Sequence, residues 1–238
     1  MYSLLIVAAA LYGAVAGVLV PRARYRLAVE PEEGWRDAGP CGHAVGRWVG
    51  PARCAVCGGR YGPGALWPAA VTAVVCGGLA MAVGVRPELA VWLAVTPVCV
   101  VLAVVDWSVR RLPDILTAPL AVGVAGLLGV AALIPGAAGS WPRALLGGLA
   151  LSGGYLVLHL LHPAGLGFGD VKLAVGLGCV LGWYGWWVLA LGAFAGLLLG
   201  SVYGTGVLLA RRVAVMPLGP FMIAGAWLGV LGGAYWTG

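Results

Sequence analysis

The sequence predicts an all-α, polytopic membrane protein with about eight transmembrane helices and one basic cytoplasmic loop. Of 238 residues, 62% are hydrophobic and only 9% charged, and the mean hydropathy is +1.00. Long apolar runs alternate with short breaks rich in Pro, Gly and charge. A soluble domain carries about a quarter charged residues, so this composition belongs in a bilayer.

A spanning helix needs about 20 mostly apolar residues. Runs of that kind fall near residues 2–20, 65–84, 88–105, 115–134, 143–162, 171–188, 189–209 and 217–236. The expected division is a first helix over 1–20, a basic loop with a partial cysteine motif over 21–64, and a seven-helix core over 65–238. The first run reads as a retained span and not as a signal peptide, because its arginines follow the apolar segment instead of preceding it.

Lysine and arginine concentrate in cytoplasmic loops. With the N-terminus outside, the inside loops hold Arg22, Arg24, Arg26, Arg36, Arg47, Arg53, Arg60, Arg110, Arg111, Lys172, Arg211 and Arg212. Only Arg86 and Arg143 of the 14 basic residues then fall outside. Both termini lie outside a cytoplasmic (inner) membrane on this topology. The net charge of +6 reads as topology and attraction to anionic lipid, with no nucleic-acid partner. Between the sixth and seventh runs stand only Trp183, Tyr184, Gly185, Trp186 and Trp187, an aromatic cluster suited to the outer interface. The 41 glycines read first as small residues that let helices approach closely.

Of eight acidic residues, Glu30, Glu32, Glu33 and Asp37 lie in the polar loop and Glu88 in a short outside turn. Asp106, Asp114 and Asp170 fall at cytoplasmic ends of spans, where a buried carboxylate is costly and by default a functional candidate. Asp106 ends the third run and Asp170 opens the sixth, so one hairpin to the far face and back returns both to the same side. Two carboxyl groups held close cannot both ionise. The charged one takes a proton from water as it attacks a peptide carbonyl, while the protonated one polarises that carbonyl, which is aspartic protease chemistry. Gly167 and Gly169, lacking Cβ, fit the approach of an extended substrate backbone beside Asp170. Each carboxylate also has a plainer reading. Asp114, after Pro113, and Asp170 fit helix N-terminal caps. Asp106 sits at a C-terminus, where the helix dipole disfavours it, and its plain alternatives are snorkelling to the interface or pairing with Arg110 or Arg111.

These residues resemble the type IV prepilin peptidases, membrane aspartic proteases that share a Gly-x-Gly-Asp feature with presenilin-like enzymes. One matching segment is Asp106-Trp-Ser-Val-Arg-Arg-Leu-Pro-Asp-Ile-Leu-Thr-Ala-Pro-Leu120, similar to the family's Asp followed by Leu-Pro-Asp and Leu-Thr-x-Pro-Leu. A second is Gly167-Phe-Gly-Asp-Val-Lys-Leu173 with Gly176, and a third is Pro217-Leu-Gly-Pro-Phe221 with Gly225. The resemblance runs from about Leu66 to the C-terminus. It implies Asp106 and Asp170 as the catalytic pair, with Gly167, Gly169, Lys172, Asp114, Pro113, Pro217 and Pro220 in supporting positions. It also implies a substrate with its own membrane helix, a prepilin or pseudopilin precursor cut at a short basic leader on the cytoplasmic side, and proteolysis that needs no cofactor. Many members also methylate the new N-terminus with S-adenosylmethionine. Of their N-terminal signature only Gly13, Gly17 and Arg24-Tyr-Arg-Leu27 are similar here.

Of six cysteines, Cys76, Cys99 and Cys179 lie within spans as small packing residues. Cys54-Ala-Val-Cys57 has zinc-ligand spacing, with Cys41 and either His43 or Asp37 as further ligands. A reducing cytoplasm argues against a disulfide there. By the resemblance this loop carries two Cys-x-x-Cys pairs, and Ala38 stands where the first cysteine would be, so weak or absent zinc is expected.

The rival from another class is a transporter whose carboxylates relay protons or bind cations. It predicts ionisable groups at the midplane, whereas nearly all here fall on one face, with His159 and His162 at the same end of the fifth run. A structural membrane subunit has no positive signature. Within proteases, a presenilin-like or archaeal preflagellin-processing enzyme is the nearest alternative.

Overall fold

A bilayer offers no water to unpaired backbone groups, so apolar runs of this length fold as helices that satisfy their own N–H and C=O groups. The computed structural model describes residues 2–30, 33–163, 165–210 and 216–236; Glu32, Arg211 and Arg212 lie outside the described residues. Among the described residues the chain forms α1 (Tyr2–Val18), α2 (Val20–Leu27), α3 (Leu66–Val83), α4 (Glu88–Val109), α5 (Asp114–Ala131), α6 (Trp141–Leu161), α7 (Phe168–Tyr184), α8 (Trp186–Leu209) and α9 (Gly219–Trp236). Among its described residues, the loop between α2 and α3 holds two isolated bridges, Ala38 with Ala44 and Arg53 with Arg60.

Each of the eight apolar runs is helical. Among the described residues, six stretches are by length and composition alone enough to cross a membrane: Tyr2–Leu27, α3, α4, α5, α6 and α8. Helix α7, with 17 residues, is just short of that length and is buried continuously from Gly176 to Tyr184. Its neighbours are α5, α6, α8 and α9, so it faces protein and tolerates polar residues at its start. The glycines at 219, 225, 229, 232 and 233 lower the hydropathy of α9.

Glycine contacts set the helix pairs around α7. A Cβ on Gly178 of α7 would lie 2.5 Å from the Gly147 carbonyl oxygen of α6, and one on Gly225 of α9 would lie 2.4 Å from the Gly192 oxygen of α8. Only small residues allow such backbone approach. Gly13 and Gly17 do the same for α1, where a Cβ would meet Thr72 and Pro68 oxygens of α3 at 2.5 Å each. Close helix packing is thus a sufficient physical reason for these two glycines. Cys76, Cys99 and Cys179 are buried packing residues.

The aromatic cluster at the α7–α8 corner divides. Gly185, at φ 142°, turns the chain there, leaving Trp183 and Tyr184 buried while Trp186 and Trp187 are exposed. Glu88, expected in a short outside turn, is the first residue of α4 and fully buried. Its Oε1 accepts from the Ala138 N–H of the α5–α6 loop at 3.3 Å, and its Oε2 has no hydrogen-bond partner among the described residues.

Candidate active site

The antiparallel helices bring the end of α4, the start of α5, the start of α7 and the start of α9 to one end of the bundle. Helix α4 stops because Arg110 turns left-handed, at φ 53°, while its N–H still bonds the Asp106 carbonyl at 2.7 Å. Pro113 then disfavours helix in the residue before it, and it caps α5 by accepting from the N–H groups of Leu116 and Thr117. Asp106 is therefore held one turn before a fixed corner.

Both singled-out carboxylates are buried, Asp106 with 4% and Asp170 with 8% of its surface exposed. Asp106 Oδ2 accepts from the Gly219 N–H of α9 at 3.0 Å. Asp170 Oδ2 accepts from the Gly167 N–H at 3.2 Å, so the plain N-terminal cap does form. The Asp106 charge reaches Asp170 electrostatically. Buried Tyr155 of α6 is also within electrostatic range of Asp170. Nothing in the sequence singled out that tyrosine, since an apolar helix around it gives no pattern that marks it.

The glycines here have specific neighbours. A Cβ on Gly219 would fall 2.8 Å from Asp106 Oδ2, and one on Gly169 would fall 3.0 Å from Leu112 Cβ. Leu112 therefore packs against both Gly169, beside Asp170 on α7, and Gly219 of α9, whose N–H holds Asp106. Gly169 closes onto the chain's own Leu112. Pro217 is buried, and Pro220 lies in the first turn of α9, where its missing N–H costs no helical bond. Asp114 leaves the buried pair alone: its two oxygens take Lys172 Nζ at 2.7 and 2.8 Å, on the exposed side, tying α5 to α7. His159 Nδ1 meets the Leu166 carbonyl oxygen at 2.7 Å and its ring lies against Phe168.

In the loop, the ligand atoms of Cys41, His43, Cys54 and Cys57 all lie within 4.8 Å of one another. His43 Nδ1 is 3.4 Å from Cys41 Sγ and 3.6 Å from Cys54 Sγ. Tetrahedral zinc, with bonds of about 2.3 Å to sulfur and 2.0 Å to nitrogen, spaces its ligands by roughly 3.5–3.8 Å. The donor set therefore fits a metal ion, with His43 in the place of the absent cysteine. Backbone N–H groups of Cys57 and Val56 lower the Cys54 thiol to about 6, favouring the thiolate a metal needs. Gly58, at φ 69°, makes the tight turn that aims those groups at the sulfur. The loop is seated on α2 by Arg22, whose side chain donates to Tyr61 Oη and the Pro51 and Arg53 carbonyls.

Residues 93–209, which contain Asp106, Asp114 and Asp170, match the type IV leader peptidase family. The chain is 30% identical over 212 residues to the prepilin leader peptidase/N-methyltransferase of Pseudomonas putida, covering 81% of this chain and 70% of that protein. It is 34% identical over 154 residues to the protein of that name from Aeromonas salmonicida and 35% over 145 residues to that from Dichelobacter nodosus, covering 59% and 60% of this chain. The chain spans about half the length of these last two relatives, 48% of each. No solved structure matches. With similarity extending through both segments that carry the buried carboxylates, the chain belongs to the type IV leader peptidase family.

Proposed function

We propose that this protein is a membrane aspartic endopeptidase that removes the leader from a prepilin or pseudopilin precursor at the cytoplasmic face, using Asp106 and Asp170. The observation that carries the reading is the pair of buried carboxylates at one end of the bundle, each fixed by a single backbone N–H. A fixed oxygen on each leaves the other free for water or substrate.

In this mechanism the two carboxyl groups share one proton. The ionised one takes a proton from water as the water oxygen bonds to the scissile carbonyl carbon, and the protonated one donates to the carbonyl oxygen. Collapse of the tetrahedral intermediate breaks the C–N bond, and the leaving amine takes up a proton. Leu112 and the glycines beside it hold the two carboxyl-bearing segments in register.

The charge pattern supports a cytoplasmic site. Arg22, Arg24, Arg26, Arg110, Arg111 and Lys172 share the carboxylate end, whereas Arg86 donates to the Ala234 carbonyl and Arg143 to the Trp183 carbonyl at the other. Positive charge marks the inner side, and on the same reading both termini lie outside. In the loop, Cys41, His43, Cys54 and Cys57 bind zinc as a structural site, with no part in proteolysis. The relatives' names also carry an N-methyltransferase activity. Incubating processed substrate with labelled S-adenosylmethionine tests that half separately.

The deciding experiment incubates membranes bearing the protein with a prepilin and compares wild type with Asp106→Asn and Asp170→Asn at equal expression. Each variant should lose at least about a hundredfold in cleavage rate, the scale of a lost proton-transfer group. Normal processing by either variant would refute the dyad.

A further inference from the structure

Besides a hollow of about 210 Å³ confined to α4 and α5, two larger apolar hollows flank α4, and only one of these leads to the carboxylates. The larger, about 630 Å³, lies against α1, α2, α4 and α5 and is covered at one end by Trp48 and Val49 of the loop. The smaller, about 240 Å³, lies between α3, α4, α7 and α9. A further hollow of about 450 Å³, lined by Arg24, Trp67, Ala103, Val104, Trp107 and Pro220, shares Trp67, Ala103, Val104 and Pro220 with the second. The two together make one continuous cleft.

The helical phase connects this cleft to the site. Trp92, Thr96, Cys99 and Ala103 of α4 line it, spaced three or four apart on one face, and the next positions on that face are Asp106 and Trp107. On α9 the lining begins at Pro220 and runs through Ile223 and Trp227. It starts directly after Gly219, whose N–H holds Asp106. On α7 the lining residues Leu177 and Val180 sit two and three turns beyond Asp170. The helices that position both carboxylates are thus the walls of the cleft. From Trp92 to Val104 it extends about 18 Å along α4.

The surface is apolar except at its carboxylate end, where Arg24 lines it and donates to Ser108 Oγ at 3.0 Å. The hydroxyl of Thr96 is spent on the Trp92 carbonyl at 2.7 Å. Trp67 and Val71 of α3 stand exposed along it, with 44% of each uncovered. Size does not decide between the hollows. The larger one touches neither α7 nor α9, so a chain lying there would approach Asp106 from the wrong side of α4.

We propose that the cleft between α3, α4 and α9 receives the apolar helical segment that follows the scissile bond of a membrane-borne substrate. This rests on the peptidase reading above and adds the place of the substrate's helix. A polypeptide cut at Asp106 and continuing as an apolar helix finds here an apolar wall that begins one residue from the carboxylate. Side chains on its first turns fill the hollows beside Trp67, Ala103 and Pro220.

The test places a photoreactive benzoylphenylalanine at successive positions in the first apolar turns after the cleavage site of a prepilin. It is irradiated in membranes with wild type and with Asp106→Asn. Crosslinks are expected in the segments 66–79 and 220–230, and they should persist when cleavage is lost. Crosslinks to α1 or α5, to lipid alone, or to a second copy of the substrate would overturn the assignment while leaving the peptidase intact. A wild-type protein that cleaves nothing would take both readings down.

Two matched substitutions give a second readout. Ala224→Phe fills this cleft and should raise KM for the membrane substrate about tenfold, the scale of a blocked side-chain contact; Ala224→Leu should act in the same direction. Ala94→Phe fills the other groove and should leave KM unchanged. The reverse pattern, at equal folded protein, would move the substrate to the α1–α5 side.

Discussion

The Asp106 carboxylate at the end of α4 accepts a hydrogen bond at 3.0 Å from the backbone N–H of Gly219, 113 positions later in the chain. A Cβ at 219 would stand 2.8 Å from the bonded oxygen and 3.4 Å from Leu112 Cδ2. Gly219→Ala should therefore push the carboxylate out of place and lower kcat by at least about tenfold, while membrane insertion and protein level stay normal. Cleavage kinetics at matched expression check this, and an unchanged kcat would show that the contact does not position Asp106.

Lys172 and Asp114 make a bidentate pair at 2.7 and 2.8 Å, but their side chains are 36% and 67% exposed. Exposed pairs contribute up to about 1 kcal/mol. Asp114→Asn should keep cleavage within about threefold of wild type, far above Asp106→Asn. Complete loss of cleavage at normal protein level would mean that Asp114 handles substrate.

The helices and the buried pair were legible in the sequence because both rest on local signals. Apolar runs dictate helices in lipid, and Asp106 and Asp170 stand out against so apolar a background. The fate of Asp114 was open, since a residue after Pro113 fits a cap, and only the fold brings Lys172 to it. Tyr155 was unreadable because it arrives from α6; the resemblance marked the Pro217–Phe221 segment, but only the fold shows that the Gly219 N–H is what meets Asp106. The burial of Glu88 was unreadable for the same reason: the α5–α6 loop contacts it from elsewhere in the chain. The burial of α7 among its neighbours was also unreadable, because its apolar residues look alike whether they face protein or lipid.

The loop cluster predicts a metal whose loss is separable from proteolysis. Purified protein should hold about one zinc per chain, and Cys54→Ser with Cys57→Ser should abolish it. His43→Cys should retain the metal, since thiolate can take the fourth position. The Cys54 thiol lies near 6 and that of Cys57 is raised above its usual value. Zinc needs both deprotonated, so binding at neutral pH displaces the Cys57 proton, and affinity should fall further as pH drops through 6. Metal analysis across pH checks this; protein purified without chelators and free of zinc at neutral pH would refute the site.

Glu88 predicts a stabilising role at the end remote from the carboxylates. It is fully buried, and its contact with the Ala138 N–H fastens the α5–α6 loop to the start of α4. Along α4 the distance to Asp106 is about 27 Å, too far for a direct part in cleavage. Glu88→Ala strands that N–H and should cost about 1–3 kcal/mol, read as a lower midpoint of thermal unfolding in detergent. Glu88→Gln keeps an acceptor of the same length and should lose less. Both variants should still cleave below their unfolding midpoints. A Glu88→Ala protein that melts like wild type yet no longer cleaves would place this carboxylate in the reaction and remove it from the scaffold.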